Sequence, residues 1–192
     1  VAEKNGVIHR IGSFVLEEVF RFISSDEFKS LGMDYIEVNL SVAQCMRSDL
    51  AKEILDMLEK YQIRPDQINL EITESAYTEN ADQIIRVVGQ LRDSGFHIEM
   101  DDFGSGYSSL NMITTLPIDM LKLDMQFIRT AFKERRDTRL LEAVIGLSKT
   151  LELPLIAEGV ETEEQMLTLQ TMGCDIIQGY YFSRPLPRDE FE

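Results

Sequence analysis

Short apolar runs rich in β-branched residues alternate with amphipathic runs along most of this chain. The apolar runs predict six β-strands, at Tyr35–Leu40, Ile68–Ile72, His97–Met100, Met120–Leu123, Pro154–Ala157 and Ile176–Tyr181. Apolar residues at helical spacing predict five longer helices, at Ile11–Ile23, Leu50–Tyr61, Ala81–Ser94, Arg135–Leu151 and Glu161–Met172. Regular alternation of strands and helices is typical of an α/β fold with a parallel sheet and right-handed crossovers.

Polar residues stand at or just after the end of each predicted strand. Those with side-chain oxygen atoms are Asn39, Glu71, Glu74, Asp101, Asp102, Asp124, Glu158, Glu161 and Gln178. Lys122 lies inside the fourth predicted strand. The carboxyl ends of parallel strands meet at one edge of a sheet or barrel, and that edge is where ligands bind in α/β folds. We therefore expect these side chains to converge on one site.

Ordinary structural roles are open for several of these residues. Asn39 can act in a turn or as a helix cap, and one of the two adjacent aspartates can cap a helix that follows Gly106. Glu158 can stabilise a helix N-terminus through the helix dipole. Such roles suit Glu71 and Lys122 less well, because each stands between apolar residues of a predicted strand, where a charge needs a partner.

Composition limits the ligands that such a site can take. The net charge of -15 argues against a surface that binds polymeric nucleic acid. A small phosphate-bearing substrate is compatible with this charge if metal ions supply the positive charge. Because the chain has two histidines and two distant cysteines, a metal would be held by oxygen atoms, which favours Mg²⁺ or Mn²⁺. The adjacent carboxylates of Asp101 and Asp102 repel each other, so they also favour a nearby cation.

The expected location follows from what the sequence lacks. No apolar run is long enough to cross a bilayer, so no membrane contact is expected from this segment itself. Cys45 and Cys174 have no motif spacing and are interpreted as free thiols of a reducing compartment. We therefore expect a cytoplasmic domain, on its own or as the cytoplasmic part of a larger, membrane-attached protein.

Six motifs occur in the order and approximate spacing of the EAL domain family. They are VNLS, LEITES, DDFGSGYSSL, LKLD, AEGVE and QGYYFSRP. From about Val1 to about Pro187 the chain thus resembles bacterial phosphodiesterases that act on cyclic di-GMP. The resemblance implies a modified TIM-type (β/α)₈ barrel and one EAL-like domain over residues 1–192. It also implies hydrolysis of cyclic di-GMP to linear pGpG in second-messenger signalling, with two divalent cations, Mg²⁺ or Mn²⁺. Ca²⁺ is expected to inhibit, because its looser coordination disturbs a two-metal site.

The same resemblance implies a role for each motif residue. The implied metal ligands are Asn39, Glu71, Asp101, Asp102 and Glu158. Asp101 would bridge the two metals. The implied catalytic residues are Lys122, Asp102 and Glu158, and Lys122 would help to orient the attacking water. The residues implied to contact the substrate or to support the ligands are Glu161, Gln178 and Asp124. Glu74 would steady the loop Phe103–Leu110, which in the family couples the site to a dimer interface, so a homodimer is expected.

The chain also departs from the family pattern. The Glu-Ala-Leu motif is absent, and the resemblance places it before Val1, together with about two of the eight barrel strands. We therefore expect an EAL domain without its N-terminal portion, and poor turnover by this span alone. Met125–Gln126 replaces a basic and a small polar residue that are usual in the family, and Val42 replaces a common proline. The alternative is a degenerate EAL domain that binds cyclic di-GMP or a protein partner without turnover. Every acid of the covered motifs is present, which favours the enzyme.

Overall fold

The computed structural model describes residues 7–104, 110–133, 138–187 and 190. Its strands are β1 (Ile36–Leu40), β2 (Ile68–Thr73), β3 (His97–Phe103), β4 (Met120–Leu123), β5 (Leu155–Ala157) and β6 (Ile176–Ile177). All six predicted strands are confirmed. The prediction was too long for the last one, because the chain turns after Ile177 instead of continuing to Tyr181.

The described residues form ten α-helices. They are α1 (Ile8–Ile23), α2 (Asp26–Leu31), α3 (Val42–Cys45), α4 (Leu50–Tyr61), α5 (Glu74–Glu79), α6 (Ala81–Asp93), α7 (Leu110–Thr115), α8 (Met125–Lys133), α9 (Thr138–Thr150) and α10 (Glu163–Met172). The five predicted helices correspond to α1, α4, α6, α9 and α10. The sequence pattern does not predict the nine-residue α8, nor does it predict α2, α3, α5 and α7, which have four to six residues. Runs of this length are too short for a helical period to stand out. No helix in the described part of the chain is long and apolar enough to cross a membrane.

Two compact units make up the chain. The first comprises residues 1–99 and 110–118, and the second comprises residues 100–109 and 119–192. In the first unit β1 pairs in parallel with β2, with Asn39 opposite Glu71. The core of this unit contains apolar strand residues that are at most 4% exposed, together with helical residues such as Phe20 and Ile54. The strand residues are Val38, Leu40, Ile68, Leu70 and Ile72. Because side chains alternate along a strand, the other face carries Glu37, Asn39, Asn69 and Glu71.

The second unit contains β4, β5 and β6, which also pair in parallel. Buried side chains from β4, β5, α8 and α9 form its core, and they include Leu121, Leu123, Leu155, Ile128 and Leu141. Backbone pairing continues just beyond the strand ends. The amide of Asp124 donates to the carbonyl of Phe103 (3.1 Å), that of Glu158 to Leu123 (3.2 Å), and that of Gln178 to Ala157 (2.9 Å). These bonds set the positions of the polar residues that follow the strands.

Candidate functional site

Five of the predicted site residues line one cavity in the second unit. This cavity of about 310 Å³ is bounded by Asp102, Asp124, Met125, Glu158, Gly159, Glu161, Gln178, Gly179 and Tyr180. Four of its side chains are acidic, and they come from the ends of β3, β4 and β5. The structure therefore brings Asp102, Asp124, Glu158, Glu161 and Gln178 together around one cavity, and their roles toward a metal or substrate stay predictions. A cavity with this much negative charge is suited to hold a cation.

Asp102 combines an unusual backbone with an unfavourable charge environment. Its φ of +59° lies in the left-handed region, which few residues other than glycine adopt without a compensating role. Its backbone amide donates to the carboxylate of the preceding Asp101 (2.8 Å). Burial, together with the negative charges of Asp101 and Asp124, raises the pKa of the Asp102 carboxyl, and Lys122 offsets this only in part. The site thus favours a proton or a cation at Asp102.

This electrostatic situation predicts how metal binding depends on pH. The folded-state pKa of Asp102 lies above its unfolded value, so ionisation of Asp102 makes the metal-free domain less stable as the pH rises through that pKa. The same ionisation creates a ligand for a divalent cation. We expect Mg²⁺ or Mn²⁺ to raise the midpoint of thermal unfolding more at neutral than at acidic pH. Thermal denaturation with each metal, and with K⁺ at matched ionic strength as the control, measures the difference. An equal shift at both pH values would contradict the prediction.

Lys122 and Glu158 form an ion pair beside this cavity. The ammonium nitrogen of Lys122 lies 2.9 Å from a carboxylate oxygen of Glu158, and the two side chains are 3% and 24% exposed. An ammonium group buried to this degree needs an anionic partner to offset its lost hydration. Lys122 thus has the charged partner that its place between apolar residues requires, and its role in catalysis stays a prediction.

Asp124 has a structural role in addition to lining the cavity. Its carboxylate accepts hydrogen bonds from the backbone amides of Gln126 (2.8 Å) and Phe127 (3.3 Å) at the start of α8. These amides would otherwise lack partners within the helix. Asp124 thereby fixes the start of α8 next to the cavity.

Two glycines allow the loops after β5 and β6 to approach closely. Gly159 has a φ of +70°, and a β-carbon there would lie 2.2 Å from the Cγ of Met125. A β-carbon on Gly179 would lie 2.2 Å from the carbonyl oxygen of Val160. The backbone of Val160 accepts from Tyr181 (2.9 Å) and donates to Gln178 (3.1 Å). These bonds hold a turn, which is why β6 does not extend to Tyr181.

In the first unit, three carboxylates lie close together. Ligand oxygens of Glu37, Glu71 and Glu99 all lie within 4.8 Å of one another. Glu71 and Glu99 are buried, and Glu99 also accepts a hydrogen bond of 2.6 Å from the side-chain amide of Asn69. Oxygen clusters of this kind suit hard cations such as Mg²⁺. The predicted site residues do not include Glu37, Asn69 or Glu99. Strand alternation could have identified them, since they precede Asn39, Glu71 and Asp101 by two residues.

The remaining predicted residues are placed as follows. Asn39 and Glu71 belong to the first unit, whereas Asp101 belongs to the second. The convergence of all five implied ligands on one pair of metals stays a prediction. Glu74 begins α5 and is buried. The loop that it was expected to steady lies largely in residues 105–109, outside the described residues, as does the helix start after Gly106 that an aspartate could cap.

A model of the EAL domain family matches residues 1–185. The chain belongs to the EAL domain family. Among curated proteins, it is 36% identical over 190 residues to the oxygen sensor protein DosP of Escherichia coli, covering 99% of this chain. It is 37% identical over 187 residues to the cyclic di-GMP phosphodiesterase NbdA of Pseudomonas aeruginosa, covering 97% of this chain. The chain spans 24% of the length of each of these relatives.

A solved phosphodiesterase structure supports the fold. The PaMucR phosphodiesterase in complex with c-di-GMP matches this chain with a TM-score of 0.91 and 36% identity. The match covers 100% of this chain and 77% of that chain. The predicted α/β fold related to the EAL (β/α) barrel is thus confirmed, with six strands in the described residues and so fewer than in a full barrel. Cys45 and Cys174 are free thiols, as predicted.

Proposed function

We propose that the EAL domain formed with this chain hydrolyses cyclic di-GMP to linear pGpG with two divalent cations, Mg²⁺ or Mn²⁺. The observation that carries the proposal is the acidic cavity of Asp102, Asp124, Glu158 and Glu161 beside the buried ion pair of Lys122. The names of two similar proteins support it, since NbdA is a cyclic di-GMP phosphodiesterase and PaMucR is a phosphodiesterase in complex with c-di-GMP.

The side chains present fit such metals. The pKa of Asp102 is raised by burial and by neighbouring carboxylates, which is the condition that a bound cation would relieve. The ligands of the cations would be those that the family resemblance implies, namely Asn39, Glu71, Asp101, Asp102 and Glu158. When bound, two such cations lower the pKa of a water molecule and neutralise charge on a phosphodiester during in-line displacement.

The protein groups would bind and orient the reactants. Lys122 holds the carboxylate of Glu158 through their ion pair, and its ammonium group would orient an attacking water. Gln178, Glu161 and Asp124 line the same cavity and would contact the substrate or hold the ligands in place. We further expect a homodimer, through the loop Phe103–Leu110 that Glu74 would steady, and a cytoplasmic location.

The test is turnover of cyclic di-GMP by this chain and by the full-length natural protein. We expect pGpG to appear with Mg²⁺ or Mn²⁺, detected by chromatography, and Ca²⁺ to permit binding but not turnover. Asp102→Asn should lose most of this turnover. Asp26→Asn is its matched control, because Asp26 is an exposed residue that pairs with Lys29 in α2. Binding without turnover in every metal would instead favour the non-catalytic binding module. If the full-length protein neither binds nor hydrolyses cyclic di-GMP, both functions are wrong.

A further inference from the structure

An ion pair connects α8 to the rim of the acidic cavity. A guanidinium nitrogen (Nη2) of Arg129 lies 2.5 Å from a carboxylate oxygen of Glu161, and the two side chains are 36% and 42% exposed. Glu161 lines the cavity with Asp102, Asp124 and Glu158. Arg129 therefore provides a positive charge directly to one of the four acids that line this cavity.

The backbone of Glu161 is held by a different element. Its amide donates to the side chain of Gln165 (2.8 Å), and Gln165 also forms a capping box with Thr162 at the start of α10. Glu161 is thus anchored at its backbone by α10, while α8 anchors its carboxylate. Loss of the Arg129 contact would release the carboxylate and leave the backbone in place.

Position 125 lies on the same side of α8 as Arg129. Residues four apart are neighbours on a helix surface, and Met125 lines the cavity together with Glu161. The side chain of Met125 packs against Gly159, two residues before Glu161.

We infer that Arg129 is a positioning residue, which holds the Glu161 carboxylate at the rim of the cavity and offsets its negative charge. This inference rests on the proposed function. The substrate is an anionic phosphodiester, and the cavity already contains three other carboxylates. Without Arg129, the Glu161 carboxylate would repel the substrate at the rim of the cavity. The Arg129–Glu161 ion pair therefore affects substrate binding and leaves the chemical step unchanged.

The experiment compares variants of the protein that shows turnover. We expect Arg129→Gln to raise KM for cyclic di-GMP by roughly three- to fivefold, the size expected of a partly exposed ion pair. The kcat should change by less than about twofold, and the effect should shrink at high salt because exposed charges are screened. Arg129→Lys should keep most of the wild-type KM. Adding Met125→Arg to Arg129→Gln should restore KM, since residue 125 lines the same cavity.

Two controls separate positioning from a general charge effect. Arg64→Gln removes an exposed arginine that pairs with Asp66, and KM should stay at the wild-type value. In a Glu161→Gln background, Arg129→Gln should cause no further change. The dissociation constant for cyclic di-GMP with Ca²⁺ should follow KM in each variant.

Several results would overturn the inference while leaving the proposed function intact. They are a wild-type KM for Arg129→Gln, a loss confined to kcat, or an equal loss in the Glu161→Gln background. A wild-type protein that neither hydrolyses nor binds cyclic di-GMP would overturn the proposed function first, and the inference with it.

Discussion

Substitution of Asp102 by asparagine is expected to abolish most turnover of cyclic di-GMP and yet to make the metal-free domain more stable. Turnover should fall by about a hundredfold or more, because a metal ligand contributes several kcal/mol of transition-state stabilisation. Stability should rise because asparagine carries no charge to bury beside Asp101 and Asp124. Burial, and then the charges of these two residues, raise the pKa of Asp102. Asparagine also tolerates the left-handed φ of +59° at this position.

The two halves of this prediction need separate measurements. Thermal unfolding without metal should show a higher midpoint for Asp102→Asn. For a domain of this size, each kcal/mol added to the free energy of unfolding raises the midpoint by roughly 2–4 °C. The added stabilisation by Mg²⁺ should decrease in the same variant. Asp102→Ala is the matched comparison, since it removes the charge but suits the left-handed backbone less well, and it should unfold at a lower temperature than Asp102→Asn. Full turnover by Asp102→Asn would exclude Asp102 as a metal ligand.

Substitution of Lys122 by methionine is expected to have the second largest effect. Methionine keeps the length of the side chain but removes the ammonium group that lies 2.9 Å from Glu158. The kcat should fall by about a hundredfold, which is the lower end of the rate loss expected when a group that assists proton transfer is removed. The unfolding free energy should decrease as well, because the half-buried Glu158 loses its ion-pair partner.

A double substitution distinguishes the catalytic from the structural contribution of Lys122. Lys122→Met with Glu158→Gln removes both charges, so it should be more stable than Lys122→Met alone but equally inactive. Lys149→Met is the matched control, because Lys149 forms an exposed ion pair with Asp175 outside the cavity. Denaturant unfolding and steady-state turnover of the four proteins measure both effects. A Lys122→Met protein with the wild-type kcat would exclude a role for Lys122 in catalysis.

The strands and the larger helices could be predicted because their patterns are long. Leu121 and Leu123 stand in a run of apolar residues that marks β4, and the helical period of α4 continues over 12 residues. The helix α3 is different, since its four residues are stabilised by a capping box between Ser41 and Gln44. Capping depends on individual side-chain bonds, which a periodicity does not reveal.

The acids of the cavity could be predicted for a similar reason. Asp102 lies near the end of β3, whereas Asp124 and Glu158 directly follow β4 and β5. The carboxyl ends of parallel strands lie at a common edge. The early end of β6 was not predictable in this way. Ile176–Tyr181 has the composition of a strand, but the backbone of Val160 bonds to Gln178 and Tyr181 and so holds a turn. That close approach depends on the absence of a side chain at Gly179.

By itself the sequence determined the alternation of strands and helices, the oxygen-rich chemistry of the site and membership of the EAL domain family. These features depend on residue type and on local spacing, which are written in the chain. Only the tertiary structure showed the contacts between residues distant in sequence. It showed that Glu37 and Glu99 lie close to Glu71, and that Arg129 pairs with Glu161. Such contacts depend on how separate elements pack, and that packing is decided by the burial of many side chains together.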